Sequence, residues 1–403
     1  MIQRAAKTWH QKRGPLQRSL LQWFRVHRRD LPWRASPPQR AGRDPYRIWV
    51  AEIMLQQTRI AAVLPYYYRF LQHLPTVERL AAARLDKVLW LWSGLGYYNR
   101  ARNLHRAAKE VMARHGGTFP RKLEDALALP GIGRYTAAAI LSIAYDAPLA
   151  ALDSNVARVV ARLEAIRGDL RTPRRWRQLT QTAEYLLARR APGNWNEALM
   201  ELGETICLPQ NPCCTDCPVS RFCRAYALRL TATIPASRQK RPVVRMRIAA
   251  AILSDPRGRT ILVRDSDAHD GVFFSRMWQF PAVEVKREPR AELENYLRKV
   301  LRLDSAPLQL QTLPAARHGV TFRNITLLPF LVRIAELPRL PRTRILALDR
   351  IPQLPVSSAT RKIARAEQVA GNRSGPEQGP TALTLPPAIA AQWQGQDGRL
   401  GSE

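Results

Sequence analysis

Acidic residues are scarce in this chain of 403 residues, which has 32 Asp and Glu against 64 Lys and Arg. The formal net charge of +32 predicts a polyanionic partner, because Lys and Arg displace counterions from phosphates. Long apolar runs are also missing, since no stretch approaches the roughly 20 residues that span a bilayer. No apolar signal segment precedes a cleavage-like site, so we expect an intracellular protein whose thiols stay reduced.

Cysteine is rare too, with five in the chain, but four of them fall within 17 positions. Cys207, Cys214, Cys217 and Cys223 have the spacing C-x6-C-x2-C-x5-C. Thiolate clusters of this size bind a metal ion or an iron–sulfur centre. Structural zinc usually takes paired C-x2-C knuckles, and only one such pair is present, so the spacing favours a 4Fe–4S cluster over zinc. We expect Cys213 to be a spectator.

The apolar pattern changes once along the chain. Apolar residues recur at intervals of three and four, with short Gly or Pro punctuation, which predicts a helical domain over 15–226. The Pro-rich, basic segment within 227–242 has linker composition. Alternating apolar and polar residues then predict strands, with one short helix, so 243–368 is interpreted as a mixed α+β domain. Gly, Pro, Gln and Ser dominate 369–403, which predicts a disordered tail.

A glycine-containing turn separates two helical patterns in the segment 129–137. Pro130 ends the first helix. Gly131 and Gly133 let the backbone turn tightly and approach a ligand closely. Thr136 and the alanines after it open the second helix, whose first N–H groups form an anion site. The pattern predicts a helix-hairpin-helix element that grips a DNA phosphate. An ordinary helix–helix turn is the alternative.

Two acids stand out by position. Glu52 lies in a mostly apolar helix, where desolvation raises the pKa of a carboxyl and lets it act as a general acid near neutrality. Asp153 precedes another helix, where a simple N-cap is the alternative role. Two carboxylates in different environments are what cleavage of a glycosidic bond needs, because one protonates the leaving group and the other stabilises an oxocarbenium-like sugar.

The hairpin, Asp153 and the four-cysteine segment follow one another along the chain, and this ordered set resembles the endonuclease III superfamily of DNA glycosylases. Within that superfamily the match is to the MutY-type adenine DNA glycosylases. The resemblance covers residues 31 to 223 and implies a two-lobed helical domain with DNA bound between the lobes. The motifs are Leu31-Pro32-Trp33-Arg34, Leu55-Gln56-Gln57-Thr58, Gly94-Leu95-Gly96-Tyr97-Tyr98, Leu129 to Thr136, Leu152 to Val156 and the cysteine spacing.

The resemblance assigns catalytic roles. It implies that Glu52 protonates adenine at N7 and that Asp153 stabilises the cationic deoxyribose. Asn155 would help to place the water or support Asp153. Tyr135 stands where the bifunctional lyases of the superfamily carry a nucleophilic lysine, and a tyrosine cannot form a Schiff base. The resemblance therefore implies base release without a committed strand-cutting step.

The resemblance also implies contacts with the substrate. Arg29 and Arg34 would line the adenine pocket with Glu52, while Gln57 and Tyr97 would wedge into the base stack when adenine is flipped out. From the residues alone, core packing for Tyr97 and a solvated helix face for Gln57 stay open. The other implied DNA contacts are the hairpin glycines Gly131 and Gly133, Thr58 at the lesion, and His318.

The second domain resembles the Nudix-like domain that follows the catalytic part in this family. Met277-Trp278-Gln279-Phe280-Pro281 looks like its core hairpin. The stretch 287–303 has no glutamate cluster for Mg²⁺, so nucleotide hydrolysis is not expected. The family reads 8-oxoguanine with a Phe-Ser-His loop. Ala316-Arg317-His318 occupies the corresponding position, and only His318 matches.

Together these observations predict a multidomain protein. It has an all-α helix-hairpin-helix glycosylase domain with an iron–sulfur loop, followed by an α+β Nudix-like domain. The implied cofactor is a 4Fe–4S cluster, and the implied partner is double-stranded DNA with an A:8-oxoguanine or A:G mispair. We expect a monomer in the bacterial cytoplasm, associated with the nucleoid. The alternatives are an endonuclease III-like glycosylase/lyase, which a lysine at position 135 would favour, and a non-catalytic iron–sulfur DNA-binding protein.

Overall fold

The computed structural model describes residues 11–35, 43–236, 242–264, 277–303, 308–320 and 322–371. Its first part is helical, as the apolar periodicity predicts, and short turns join the helices. The helices are α1 (Arg13–His27), α2 (Pro45–Leu55), α3 (Ile60–His73), α4 (Val77–Ala82), α5 (Leu85–Trp92), α6 (Asn99–His115), α7 (Leu123–Ala128), α8 (Arg134–Tyr145), α9 (Ser154–Glu164), α10 (Pro173–Leu186), α11 (Pro192–Thr205) and α12 (Arg224–Ala227), with a 3-10 turn at Ser220–Phe222.

The helices form two lobes, each with its own apolar core. Helices α2 to α8 bury one cluster, which includes Trp49 and Trp92. Helix α1 joins α9 to α12 around a second cluster, which includes Trp195 and Leu20. Because α1 precedes the helices of the first lobe in the chain but packs against α11, the polypeptide leaves the second lobe, builds the first and then returns. Residues from both lobes therefore meet along one cleft.

The second part of the chain is a mixed sheet covered by helices. The strand order is β4-β6-β1-β2-β7, with β3 also paired to β1 and β5 to β6. The central pair β1–β6 is parallel, in the register Val244↔Arg323 to Ser254↔Arg333, and the other strand pairs are antiparallel. The elements are β1 (Val244–Ser254), β2 (Arg259–Val263), β3 (Ala282–Glu284), α13 (Pro289–Leu301), β4 (Leu310–Thr312), β5 (Ala316–Val320), β6 (Arg323–Arg333), β7 (Thr343–Ala347), a 3-10 turn (Leu348–Gln353) and α14 (Ser358–Gly371).

Strand β1 is buried over Ile248 to Leu253 because helices cover both faces of the sheet. Successive side chains of a strand point to opposite faces. Ala249 and Ala251 pack with Leu297 of α13, whereas Ala250 packs with Ile363 of α14. A strand buried on both faces reads as a continuous apolar run, and this explains why alternation is lost in the middle of β1.

The lesion-reading loop expected at Ala316-Arg317-His318 is a strand in the structure. Residues 316 to 320 form β5, which pairs antiparallel with β6 through Ala316↔Leu327 and His318↔Ile325. The side chain of His318 is 7% exposed. The expectation of a loop was wrong because strand pairing with β6 extends further than the sequence pattern indicated.

Specific polar contacts dock the sheet domain on helix α5 of the first lobe. Trp90 Nε1 donates to the carbonyl of Pro352 across 3.0 Å, and Arg361 Nη2 donates to Ser93 Oγ across 2.9 Å. Arg264 and Asp86 form an ion pair at 2.7 Å. Met277, from the predicted core hairpin, is fully buried in the apolar cluster of the first lobe. The two domains are thus held together by packing as well as by hydrogen bonds.

The expected domain limits lie partly outside the described residues. The linker predicted at 227–242 includes 237–241, and the tail predicted at 369–403 includes 372–403, which the structure does not describe. Helix α14 ends at Gly371, so it contains the first three residues assigned to the tail. In the part of the chain that the structure describes, no helix has the length and apolar character needed to cross a membrane.

Candidate active site

A cleft of about 980 Å³ lies between the two helical lobes. It is bounded by α2, the start of α8, the start of α9 and one face of α11, so both lobes contribute side chains. The residues expected in the site that line this cleft are Arg29, Arg34, Glu52, Gln57, Thr58, Tyr135, Asp153 and Asn155. Tyr97, Gly131, Gly133 and His318 are not among the lining residues. Tyr97 stands at the edge of the cleft, because Arg100 contacts both its ring and the lining residue Thr58.

Glu52 is a buried acid in an otherwise apolar helix. Helix α2 begins with Pro45 after Asp44, whose side chain accepts a hydrogen bond from the N–H of Tyr46 and caps the helix. Glu52 is 6% exposed. Burial raises the pKa of Glu52 to about 7, a bond from Tyr135 opposes this, and the charges of Asp153 and other acids add to it. Near neutral pH the carboxyl can therefore hold a proton and release it.

Tyr135, in the first turn of α8, contacts Glu52 of α2. Helix α8 begins at Arg134, directly after the hairpin, and places the phenol across from α2. The hydroxyl of Tyr135 donates to Glu52 Oε2 across 3.1 Å. Burial, and then the negative charge of Glu52, raise the pKa of Tyr135 well above its ordinary value. The phenol thus stays protonated and acts as a donor to the carboxyl.

Asp153 is both an N-cap and a cleft residue. Its carboxylate accepts a hydrogen bond from the N–H of Val156 across 2.7 Å, which caps α9. Burial raises the pKa of Asp153, the Val156 N–H opposes this shift, and the charge of Glu204 adds to it. The prediction of an N-cap is therefore correct. Because the capping carboxylate also lines the cleft, Asp153 can cap α9 and act in the site at the same time.

Asn155 is fixed through a neighbouring arginine. Asn155 Oδ1 accepts from Arg158 Nη1 across 3.1 Å, while Arg158 Nε donates to the carbonyl of Cys207 across 2.9 Å. A Cβ at Gly203 would lie 3.0 Å from the Cβ of Asn155, so a glycine lets α11 approach α9 here. The hydrogen bonds of Arg158 therefore connect the cleft to the segment that carries the cysteines.

Three glutamates of α11 were missed by sequence reasoning. Glu197, Glu201 and Glu204 stand at i, i+4 and i+7, which places them on one face of a helix. They line the cleft and bind the arginines that the resemblance assigned to the adenine pocket. The spacing of the glutamates was a usable signal, but the sequence does not tell which face of α11 meets the segment around Arg29 and Arg34.

The three glutamates form several ion pairs with Arg29 and Arg34. Arg29 Nε lies 2.6 Å from Glu201 Oε1, and Arg34 Nη2 lies 2.8 Å from Glu201 Oε2. Arg34 also binds Glu197 at 2.9 Å, and Arg29 binds Glu204 at 2.7 Å. Burial favours a higher pKa for Glu201, but the bonds from Arg29 and Arg34 together outweigh it and hold the pKa below its usual value. Glu201 is thus an ionised anchor for both arginines.

The two proposed wedge residues sit in loops at the edge of the cleft. Gln57 follows the end of α2 with a φ of 59°, and Tyr97 precedes α6 with a φ of 49°. Tyr97 is 40% exposed, so the alternative of core packing is wrong for it, and Tyr98 is the tyrosine that packs in the core. Gln57 is exposed in a loop, so the alternative of a helix face is wrong as well.

The predicted hairpin has the expected form. Helix α7 ends at Ala128, α8 begins at Arg134, and Gly133 is the residue before it. Gly131 has a φ of 79°, and a Cβ there would lie 2.7 Å from the Cβ of Asn103, so only glycine fits. A Cβ at Gly133 would meet nothing within 4 Å, which leaves open space before the N-terminus of α8.

The four clustered cysteines and Cys213 line one small cavity together with Arg162. All five cysteines are free thiols, and Cys213 is exposed while the other four are partly buried. Arg162 Nη1 lies 3.2 Å from Cys207 Sγ and 2.6 Å from the carbonyl of Leu208. Within the described ranges, no group of three or more His, Cys, Asp or Glu side chains is arranged to hold a metal ion.

Comparison with known proteins gives the class of this fold. Residues 50–186, within the helical part of the chain, match the model of the HhH-GPD superfamily base excision DNA repair proteins. The chain is similar to the adenine DNA glycosylase of Mus musculus, with 46% identity over 211 residues, which are 52% of this chain and 41% of the relative.

Two further relatives extend the comparison. The adenine DNA glycosylase of Arabidopsis thaliana is 34% identical over 321 residues, which are 70% of this chain and 50% of the relative. The solved structure of a thermostable thymine-DNA glycosylase is 29% identical, covers 54% of this chain and 98% of its own, and has a TM-score of 0.49. The chain spans about half the length of the curated relatives it matches. The predicted resemblance to adenine DNA glycosylases is confirmed.

Proposed function

We propose that this protein is an adenine DNA glycosylase that hydrolyses the bond between adenine and deoxyribose in duplex DNA. The observation that carries the proposal is the placement of two carboxyls in one cleft with different environments. Glu52 is buried beside a phenol and has a pKa raised to about 7, whereas Asp153 accepts a backbone N–H at the start of α9. Separated roles of this kind are needed to cleave a glycosidic bond.

The two carboxyls divide the chemistry. Protonated Glu52 donates its proton to the leaving adenine, and the C–N bond to the sugar then breaks with its electron pair going to the base. The anionic form of Asp153 stabilises the positive charge that develops on the deoxyribose. Water then adds its oxygen to the sugar carbon and loses a proton to the solvent, and Asn155, held by Arg158 Nη1 at 3.1 Å, would help to orient this water.

Tyr135 makes the reaction monofunctional. A glycosylase/lyase needs an amine to form a Schiff base with the sugar, and the side chain here is a phenol whose hydroxyl is committed to Glu52. The phenol keeps its proton because its pKa lies well above the ordinary value. Base release therefore leaves an intact strand with an abasic site.

The proposed substrate is duplex DNA in which the adenine lies opposite 8-oxoguanine or guanine. A mispaired base costs less to extrude than a paired one, which favours such sites. Gln57 and Tyr97 at the edge of the cleft would fill the space that the flipped adenine leaves. Arg29 and Arg34 would contact the extruded base, and the open N-terminus of α8 would bind a phosphate.

A 4Fe–4S cluster at Cys207, Cys214, Cys217 and Cys223 is the proposed cofactor. The residues fit such a group because the four cysteines line one cavity. Each cysteine of a cluster binds a different iron, so the sulfurs need not surround one point as they do around zinc. When bound, the cluster fixes the segment 207–223 structurally. Arg221 and Arg224 flank the last cysteine and would face DNA phosphates.

The sheet domain is proposed to be Nudix-like and to recognise the lesion strand. Strand β5 carries Arg317 and His318 side by side on its two faces. Arg317 is exposed, whereas His318 is buried and its pKa is lowered by burial and then by the charge of Lys362. Arg317 is therefore the accessible group of β5 for an 8-oxoguanine contact, and Thr58, which lines the cleft, is the second candidate. The monomeric state and the bacterial cytoplasmic location stay predictions.

The test of the proposed function is direct identification of the released base. Purified protein is incubated with three duplexes that pair one adenine with 8-oxoguanine, guanine or thymine, and with a fourth that carries a damaged pyrimidine, and free bases are separated by chromatography. We expect adenine from the first two duplexes and little from the third. Release of a pyrimidine from damaged DNA, with no adenine, would instead support the glycosylase/lyase alternative.

A further inference from the structure

Two residues with a left-handed backbone stand at the edge of the cleft in separate loops. Gln57 has a φ of 59° and Tyr97 a φ of 49°, and neither is a glycine. Such conformations are strained and persist only where the surroundings determine them. The two residues are 40 positions apart in the chain. A residue that contacts both loops would link the two conformations.

That contact is the guanidinium of Arg100, at the beginning of α6. Arg100 is 8% exposed. Its Nη1 donates to the carbonyls of Ile53 and Met54, at 3.1 and 2.7 Å, and to the carbonyl of Gln56. These carbonyls lie at the end of α2, where the helix provides no further N–H donors. A buried cation at this end also complements the negative end of the helix dipole.

The other nitrogen of the same guanidinium reaches the second loop. Arg100 Nη2 lies 3.2 Å from Thr58 Oγ1 and 3.3 Å from the carbonyl of Gly96. The ring of Trp92 lies 5.5 Å from the guanidinium carbon and that of Tyr97 lies 5.2 Å from it. Trp92 Nε1 also donates to the carbonyl of Gly96 at 3.1 Å. One planar cation therefore holds both loops at once.

The first loop is also linked to the catalytic pair. Gln56 Nε2 lies 3.2 Å from Thr136 Oγ1, and Thr136 follows Tyr135 in the chain. A displacement of the loop around Gln57 would therefore reach α8 next to the phenol that donates to Glu52.

We infer that Arg100 is a positioning residue that joins the loops 56–58 and 96–97 into one preformed unit for holding DNA with an extruded base. The inference rests on the proposed function for its activity readout. Lysine cannot replace this arginine, because an ammonium group lacks the planar fork that reaches acceptors on two sides. Loops that are already in place lose less conformational entropy when DNA binds. Loss of the Arg100 contacts should therefore affect base extrusion more than affinity for the phosphates.

The first test needs no activity. Amide hydrogen exchange is compared between the wild-type protein and Arg100→Lys, which keeps the charge and the apolar stem. We expect the amides of Thr58, in the first loop, and Leu95, directly before the second loop, to exchange about tenfold faster or more in the variant, because both loops lose hydrogen bonds to a charged group. Faster exchange in only one loop, or in neither, would overturn the inference.

The second test follows extrusion and excision. A duplex carries 2-aminopurine beside the target adenine, and its fluorescence rises when the stack opens. We expect Arg100→Lys to reduce the fast fluorescence rise and single-turnover adenine release by about tenfold or more, with duplex affinity changed by less than about threefold. The matched control is Arg114→Lys, at the exposed end of the same helix, for which we expect less than about a twofold change.

A double-mutant cycle separates positioning from a general structural role. In a protein that already carries Gln57→Ala and Tyr97→Ala, Arg100→Lys should slow adenine release by less than about twofold, since the two side chains that Arg100 positions are gone. A full tenfold effect in that background would contradict the inference. If the wild-type protein released no adenine, the proposed function would fail, while the exchange experiment would still decide the role of Arg100.

Discussion

The Tyr135 hydroxyl donates a hydrogen bond to Glu52 Oε2 across 3.1 Å, joining the first helix after the hairpin to the apolar helix α2. Burial alone would raise the pKa of Glu52 further, and this bond opposes the rise, leaving the pKa at about 7. The carboxyl of Glu52 is therefore partly protonated at neutral pH. A general acid works best when its pKa lies close to the working pH.

Tyr135→Phe should move the alkaline limit of adenine release to higher pH. Activity needs protonated Glu52, so the wild-type rate should fall as the pH rises through about 7. Phenylalanine removes the bond that lowers the pKa of Glu52, and the fall should then begin at higher pH. Single-turnover rates between about pH 5.5 and 9 measure this. An unchanged limit, or one moved to lower pH, would show that the bond does not control Glu52.

Glu52→Gln should stabilise the protein at alkaline pH. The pKa of Glu52 is raised from 4.5 to about 7, so the folded state holds a proton that the unfolded state loses in this interval. The stability that the wild type has below about pH 4.5 is therefore lost as the pH rises to about 7, by roughly 3 kcal/mol for this group. Glutamine does not titrate and avoids this loss.

Urea unfolding at pH 5 and pH 8 checks the prediction for Glu52. We expect the free energy of unfolding of the variant, relative to the wild type, to be higher at pH 8 than at pH 5 by a few kcal/mol. The proposed general acid is lost at the same time, so the more stable variant should release no adenine. Equal differences at both pH values would mean that Glu52 is not desolvated.

Asp153→Asn should remove catalysis while keeping the fold. Asparagine caps a helix about as well as aspartate, so α9 should stay intact and stability should change by only a few tenths of a kcal/mol. The carboxylate that stabilises the cationic sugar is lost, and adenine release should slow by about a hundredfold or more. Asp153→Ala is the control for the cap and should in addition cost about 1 kcal/mol of stability. Equal loss of excision and mismatch binding in Asp153→Asn would contradict the assigned role.

Cys217→Ser should reduce the iron content, whereas Cys213→Ser should not. Both positions lie in the same segment and line the same cavity, but Cys217, a proposed ligand, is partly buried, whereas Cys213, the expected spectator, is exposed. Iron and sulfide analysis of the two purified variants, together with their visible absorption, makes the comparison. If the wild-type protein binds zinc and no iron, the proposed 4Fe–4S cluster is wrong and the four cysteines form a zinc site.

Much of the site follows from the sequence because its signals are local. The burial of Glu52 follows from the apolar residues around it on α2, and the left-handed turn at Gly131 follows from glycine beside proline. The cap at Asp153 is also a local property, and the structure shows that it lies in the cleft as well.

The rest depends on contacts between distant segments. Glu201 binds Arg29, which is 172 positions away, and no local pattern indicates that pairing. Arg100 was not singled out, because a basic residue near a helix start usually faces solvent and only the packing of α6 against α2 buries it. Ala316-Arg317-His318 was expected to be a loop, but the pairing of β5 with β6 made it a strand.

The most direct test of Glu52-dependent, monofunctional adenine removal uses one labelled duplex with adenine opposite 8-oxoguanine. The products of the wild type, Glu52→Gln and Tyr135→Lys are resolved with and without alkali. We predict breaks in the adenine strand only after alkali for the wild type, none for Glu52→Gln, and borohydride-trapped complexes for Tyr135→Lys. Wild-type breaks without alkali, or unchanged excision by Glu52→Gln, would contradict the account.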